Sequence, residues 1–227
     1  MKPSPHLALA LDVSSAKHAL QLVEQTADSV AVYKIGMQLF YAEGPALVRQ
    51  IKAAGRQVFL DLKLHDIPNT VASALRSVAP LGVDYLTLHA SGGPAMMQAA
   101  AAAAGPVRLL AVTVLTSMEQ NQLAAVGLQC STEKQVLRLA RLAQKSAISG
   151  LVCSPLEAAM LRRELGDSAF LVCPGIRPSG SDKADQKRIA TPQQALANGA
   201  NLLVVGRPIH QSDDPRQAAR RIAEELL

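Results

Sequence analysis

Tryptophan is absent from this chain of 227 residues, and phenylalanine and tyrosine contribute only three residues each. Surfaces that stack the bases of single-stranded nucleic acid depend on aromatic rings, so this composition argues against such a role. The charge argues the same way. The formal net charge is +5, but residues 1–156 hold 13 basic and 9 acidic side chains and residues 157–227 hold 10 and 9, so the excess is spread thinly. Nucleic-acid binding proteins gather their cations on one face. A mild positive bias suits a small anionic ligand better.

Long apolar runs are missing too. The first candidate, "HLALALD", is broken by Asp12 within seven residues, which excludes a membrane span and argues against a signal peptide. Three cysteines, Cys130, Cys153 and Cys173, form no CxxC pair and no even framework. They read as reduced core thiols, and the expected location is the cytoplasm.

What is present is a repeating alternation. Short β-type runs are read at 6–12, 29–36, 57–64, 84–90, 108–115, 150–154, 169–175 and 201–209, each followed by helical periodicity such as "STEKQVLRLARLAQKSA". Helix starts are marked by Ser14, Pro68, Thr132 and Asp214-Pro215. Eight βα units predict a single α/β domain over residues 1–227, a closed (β/α)8 TIM barrel. Two connections are longer, 116–131 and 176–192, and long polar loops in a compact barrel usually act as lids or binding loops.

Active sites of such barrels lie at the C-terminal ends of the strands, and the polar residues fall there. The first strand is read to end in Asp12, the second in Lys34, the third in Asp61, Lys63 and Asp66, and the fourth in His89. Thr116 and Ser117 follow the fifth, Arg177 the seventh, and the eighth ends in Gly206-Arg207.

Strand alternation puts Asp61 and Lys63 on one face, pointing into the mouth, with Leu60, Leu62 and Leu64 facing outward. Carboxylates on either side of a lysine favour its ammonium form, which makes a proton donor rather than a nucleophilic amine. His65 and His89 could join Asp61 and Asp66 around a metal, but Lys63 among them would compete with a cation. Gly206, Arg207 and Arg177 occupy the loops that hold phosphate in many barrels, and a guanidinium offers a planar fork to such a group. A phosphorylated small substrate follows. His6, His18, His210 and the six methionines carry no functional reading.

The run "DLKLHDIPNTV", with "LALDV" and "YKIGMQLF" before it and "LTLHASGG", "VTVLTSM", "CPGIRP" and "VVGRPI" after it, resembles the orotidine 5′-phosphate decarboxylases of bacteria from the first strand to the eighth. The Asp-x-Lys-x-x-Asp element also occurs in related sugar-phosphate decarboxylases and hexulose-phosphate synthases, whereas "HDIPNTV" and the arginine-bearing loops favour the nucleotide enzymes. The resemblance implies decarboxylation of orotidine 5′-monophosphate to uridine 5′-monophosphate, the last step of de novo pyrimidine synthesis, with neither cofactor nor metal.

It further implies that Asp12 and Lys34 contact the ribose and that Lys63, flanked by Asp61 and Asp66, protonates C6. Thr116 or Ser117 would bind the base, and Arg177, Gln186, Gly206 and Arg207 the phosphate. Asp66, Ile67 and Thr70 would complete the site of a partner in a homodimer.

Overall fold

A computed structural model describes residues 2–178 and 190–226. Its frame is a closed barrel of eight parallel strands in chain order, β1 (Ser4–Ala10), β2 (Val30–Gly36), β3 (Gln57–Leu64), β4 (Tyr85–His89), β5 (Arg108–Val112), β6 (Gly150–Val152), β7 (Phe170–Cys173) and β8 (Leu202–Val205). Helices lie between successive strands and after the last. Parallel pairing of β8 with β1, in the register Leu7 to Leu203 through Leu9 to Val205, closes the ring. The (β/α)8 fold expected from the alternation is the one observed.

The alternation of β1 shows how the layers arise. Leu7, Leu9 and Leu11 belong to the large apolar layer between sheet and helices, while Ala8 and Ala10 belong to the smaller cluster inside the ring. Successive strand side chains point to opposite faces, so one run of sequence supplies both layers. Leu60, Leu62 and Leu64 pack in the outer layer, as their phase predicts.

Three of the six aromatic residues gather at one end of the barrel. Phe59, Tyr85 and Phe170 sit near the N-terminal ends of β3, β4 and β7, with Phe59–Tyr85 and Tyr85–Phe170 ring centroids 6.1 and 5.8 Å apart. The Arg108 guanidinium lies 4.4 Å from the centre of the Phe170 ring. These rings pack across the N-terminal end, and the cavity opens among residues at the C-terminal ends of the strands.

Several boundaries differ from those expected. β1 stops at Ala10, two residues before Asp12; β5 stops at Val112 rather than 115; and β8 stops at Val205, with Gly206 capping the short helix Arg207–His210. The apolar pattern runs on past each strand because Val114 and Ile209 are buried by loop and helix packing instead of ladder pairing. Ser15 and Ser131, not Ser14 and Thr132, cap their helices, accepting from the backbone N–H groups of His18 and Lys134. Pro68 and Asp214 stand where expected. The 116–131 connection contains a helix, Gln120–Ala125, opened by a capping box between Glu119 and Gln122.

Gly150 begins β6 where the neighbouring strand approaches closely. A Cβ there would lie 2.3 Å from the Leu109 carbonyl oxygen and 2.7 Å from Leu110 Cδ2. Because the nearer atom is backbone, the strand itself must move. Gly150→Ala is expected to destabilise the fold by about 1–3 kcal/mol, measured by urea unfolding.

Candidate active site

The open end of the barrel holds a cavity of about 520 Å³, within the usual range for small-molecule sites. Asp12, Lys34, Asp61 and Lys63 line one part of its wall, and Thr116 and Ser117 another. Arg177, Gly206 and Arg207 line it as well. One rim thus gathers residues from six stretches of the chain.

The phase of each strand explains how. Lys34 follows Val32, and Asp61 follows Phe59, each two residues along from a side chain in the inner cluster. Asp12 keeps the inward phase of Ala8 and Ala10 although the strand has ended.

These four charges form an alternating chain. Lys34 Nζ lies 3.1 Å from Asp12 Oδ1 and 3.5 Å from Asp61 Oδ2, and Lys63 Nζ lies 2.8 Å from Asp61 Oδ1. Lys34 is buried, while the Asp12 side chain is about half exposed. Burial alone would push the Asp61 carboxyl up. The two lysines and the hydrogen bonds from Lys63 and Thr87 outweigh it, holding the group below the ordinary carboxylate value. Asp61 is therefore an anion at neutral pH.

Lys63 sits in strained backbone. Its φ is +49°, a region that residues other than glycine rarely adopt and that costs on the order of 1–3 kcal/mol. The cause is a bulge: Leu60 pairs with Leu86 and Leu64 with Leu88, so β3 spends four residues where β4 spends two.

Thr87 fills the resulting gap. Its fully buried hydroxyl accepts from the Lys63 backbone N–H at 2.9 Å and donates to Asp61 Oδ1 at 3.0 Å. One hydroxyl thereby fixes both the strained backbone of the lysine and the carboxylate that holds its ammonium group. Threonine is an ordinary strand former, so position 87 gives no warning of this role in sequence.

Asp66 stands apart. It is exposed, its Oδ1 accepts from the Ile67 backbone N–H at 2.7 Å, and among the described residues no ion pair joins it to Lys63. Residues 65–70 are all exposed, so Ile67 and Thr70 lie on the surface outside the cavity. Gln186 falls outside the described residues.

Arg177 is buried, with its Nη1 donating to the Ile176 carbonyl and its backbone N–H to that of Ala190. The His65 and His89 rings lie with centroids 5.4 Å apart and planes tilted by 39°. Burial first, then His65 and Lys63, hold His89 below its ordinary value against the pull of Asp61. Among the described residues no cluster of three or more His, Cys, Asp or Glu could hold a metal ion, and no helix is long and apolar enough to cross a membrane. His210, which sequence offers no reason to single out, lines the cavity beside Arg207.

Known proteins share both the sequence and the fold. The family model described as "Orotidine 5'-phosphate decarboxylase / HUMPS family" matches residues 5–222. A protein of Anaeromyxobacter sp. (strain K) named orotidine 5'-phosphate decarboxylase is 51% identical over 227 residues, covering all of both chains. One of the same name from Frankia casuarinae is 48% identical over 97% of this chain and 87% of its own. The crystal structure of orotidine 5'-phosphate decarboxylase from Lactobacillus acidophilus superposes with a TM-score of 0.86 at 35% identity, covering 100% of this chain and 99% of that one.

Thr87→Val keeps the shape of the side chain while removing both hydrogen bonds of its hydroxyl. It should destabilise the protein by about 1–3 kcal/mol and, because Lys63 is released, disturb the charge chain. Chemical unfolding, with a crystal structure of the variant, checks both effects.

Proposed function

The chain belongs to the orotidine 5′-phosphate decarboxylase / HUMPS family, and from that premise we propose that it converts orotidine 5′-monophosphate to uridine 5′-monophosphate and CO2. In this reading all 227 residues form one cytoplasmic catalytic domain, Lys63 is the proton donor, and no cofactor takes part.

The observation that supports it most is the Lys63 ammonium, held at 2.8 Å by an anionic Asp61 on the wall of the cavity. When the bond from C6 to the carboxylate breaks, its electron pair stays on C6 in the plane of the ring. No adjacent carbonyl can spread that charge. A fixed cation can stabilise it in a water-poor site without reorganising at the moment of reaction. Lys63 then transfers an Nζ proton to C6, and the neutral amine regains a proton from solvent.

Asp61 has two tasks. It positions Lys63, and its second oxygen faces Lys34, whose other neighbour is Asp12. In the proposed complex Asp12 and Lys34 take the ribose and Thr116 or Ser117 the base, while Arg177, Gln186, Gly206 and Arg207 take the phosphate. Grip on a phosphate remote from the reacting carbon supplies binding energy that orients and desolvates the base.

The same reading makes the enzyme a homodimer in which Asp66, Ile67 and Thr70 complete the partner's site. Its support is the exposure of residues 65–70 directly after the catalytic strand, with Ile67 67% exposed. Met37 and Tyr41, on the helix Met37–Ala53, are 42% and 74% exposed. Apolar side chains this open suit a protein contact.

Two experiments test the proposal. Ultraviolet absorbance should show loss of the orotate band when purified protein meets orotidine 5′-monophosphate, unaffected by EDTA and absent in Lys63→Ala. No change with the wild type would sink the assignment, and loss of activity in EDTA would point to a metal-dependent sugar-phosphate lyase instead. Ile67→Asp should convert dimers to monomers and lower kcat/KM by more than tenfold. Sedimentation velocity and kinetics of that variant read the two effects; a fully active monomer would contradict the shared site.

A further inference from the structure

Two of the three cysteines meet in the fold. Cys153 follows β6 directly and Cys173 ends β7, and their sulfur atoms lie 3.8 Å apart. Both are free, buried thiols in the apolar layer between sheet and helices. Cys130 stands elsewhere, its thiol donating to Gln135 Oε1 at 3.5 Å.

Strand register brings them together. β6 and β7 are parallel with Val152 opposite Val172, and the Cys153 backbone N–H donates to the Val172 carbonyl at 3.1 Å, so Cys153 and Cys173 are the next facing pair. Neighbouring strands lie about 4.8 Å apart, inside the range of about 4.4–6.8 Å between Cα atoms that a disulfide spans. A disulfide of about 2.0 Å needs the sulfurs to close by about 1.8 Å from their 3.8 Å separation. Rotation about the two Cα–Cβ bonds moves the sulfurs on that scale while the ladder holds the backbone.

Two touching thiols can simply fill a core, so burial alone makes no site. Access is the second observation. Cys153 lines the main cavity and Cys173 does not, so a reagent the size of peroxide reaches the first sulfur from the cavity and the second only through the first. Among the described residues that cavity is lined by four cations, Lys34, Lys63, Arg177 and Arg207, and two carboxylates, Asp12 and Asp61. A positive surplus favours the thiolate, the form of cysteine that is oxidised.

We propose that Cys153 and Cys173 form a reversible oxidation site, through which hydrogen peroxide weakens the hold of the cavity on anions. The Cys153 thiolate attacks one peroxide oxygen, the O–O bond breaks, and hydroxide leaves to give a sulfenic acid. Cys173 then attacks that sulfur and the S–O bond breaks with loss of water. Two thiols and one peroxide give one disulfide and two waters; the sulfurs lose two electrons and the peroxide oxygens gain them. The effect reaches the cavity through the chain after β7. Cys173 is followed by Pro174, Gly175 and Ile176 and then by the buried Arg177, so drawing Cys173 toward Cys153 displaces the arm that carries this guanidinium.

Intact mass and peptide mapping of the whole protein test the bond, before hydrogen peroxide, after it, and after dithiothreitol. The wild type and Cys130→Ser should each lose two hydrogens, yield a cross-linked peptide pair joining Cys153 to Cys173, and regain both thiols on reduction. Cys173→Ala should form no such bond. Absence of the cross-link in the wild type, a bond through Cys130 in its place, or conversion to sulfinic acid alone would overturn the proposal, and none of these readings needs a variant that folds.

Calorimetric titration with uridine 5′-monophosphate reads the consequence. Affinity should fall about tenfold in the cross-linked wild type, the order expected of a small displacement of a binding group, and return with dithiothreitol. Cys173→Ala treated with peroxide should keep the affinity of its reduced form. Equal affinity in the reduced and cross-linked wild type would overturn the switch. The choice of ligand rests on the nucleotide reading given under Proposed function. A reduced wild type that does not bind uridine 5′-monophosphate removes that reading alone; inorganic phosphate then serves as the probe, and the same comparison before and after cross-linking decides the switch.

Discussion

The carboxylate of Asp61 lies between two ammonium groups, Lys34 on one oxygen and Lys63 on the other, and accepts a further hydrogen bond from Thr87. Without it, two cations would face each other at the mouth of the barrel with Asp12 as the remaining neutralising partner in the chain of ion pairs. Breaking one member of such a partly buried network leaves an uncompensated charge, which is costly where water is excluded. The left-handed backbone of Lys63 belongs to the same arrangement, because the bulge that produces it also brings the lysine N–H onto Thr87. Strain, ion pairing and the buried hydroxyl therefore act as one unit.

That unit has a place to work because a cavity opens at the C-terminal ends of the strands. Aromatic rings near the starts of β3, β4 and β7 pack across the N-terminal end. Small inward residues, Ala8 and Ala10, help to keep space nearer the mouth. Parallel strands all point the same way, so inward residues that follow the core positions arrive at the same rim. A charged side chain two residues beyond a core residue thus meets the cavity without a separate device to bring it there.

Much of this was legible in the residues themselves. Short β-type runs alternating with helical periodicity identified all eight strands, and the charges at their ends marked the rim that lines the cavity. Strand limits were less legible, because burial of Val114 and Ile209 by neighbouring loops and helices prolongs an apolar pattern that no longer reflects pairing. Thr87 escaped notice because a threonine in a strand is unremarkable until its hydroxyl is seen to replace part of a ladder. His210 escaped because a single histidine near an arginine is no signal on its own. Asp66 was legible only in part: its place just past the strand allowed it to reach the same mouth or a neighbouring subunit, and within the chain it is exposed and apart from Lys63.

Local spacing was enough to set the order of the βα units, the inward or outward phase of each side chain, and hence which residues share the rim. Those properties depend on neighbours a few positions apart. The pairing of a particular carboxylate with a particular lysine and the hydroxyl that fits the bulge depend on closure of the ring. Closure sets β1 against β8, bringing together residues from opposite ends of the chain, and no periodicity within either segment records how their side chains meet.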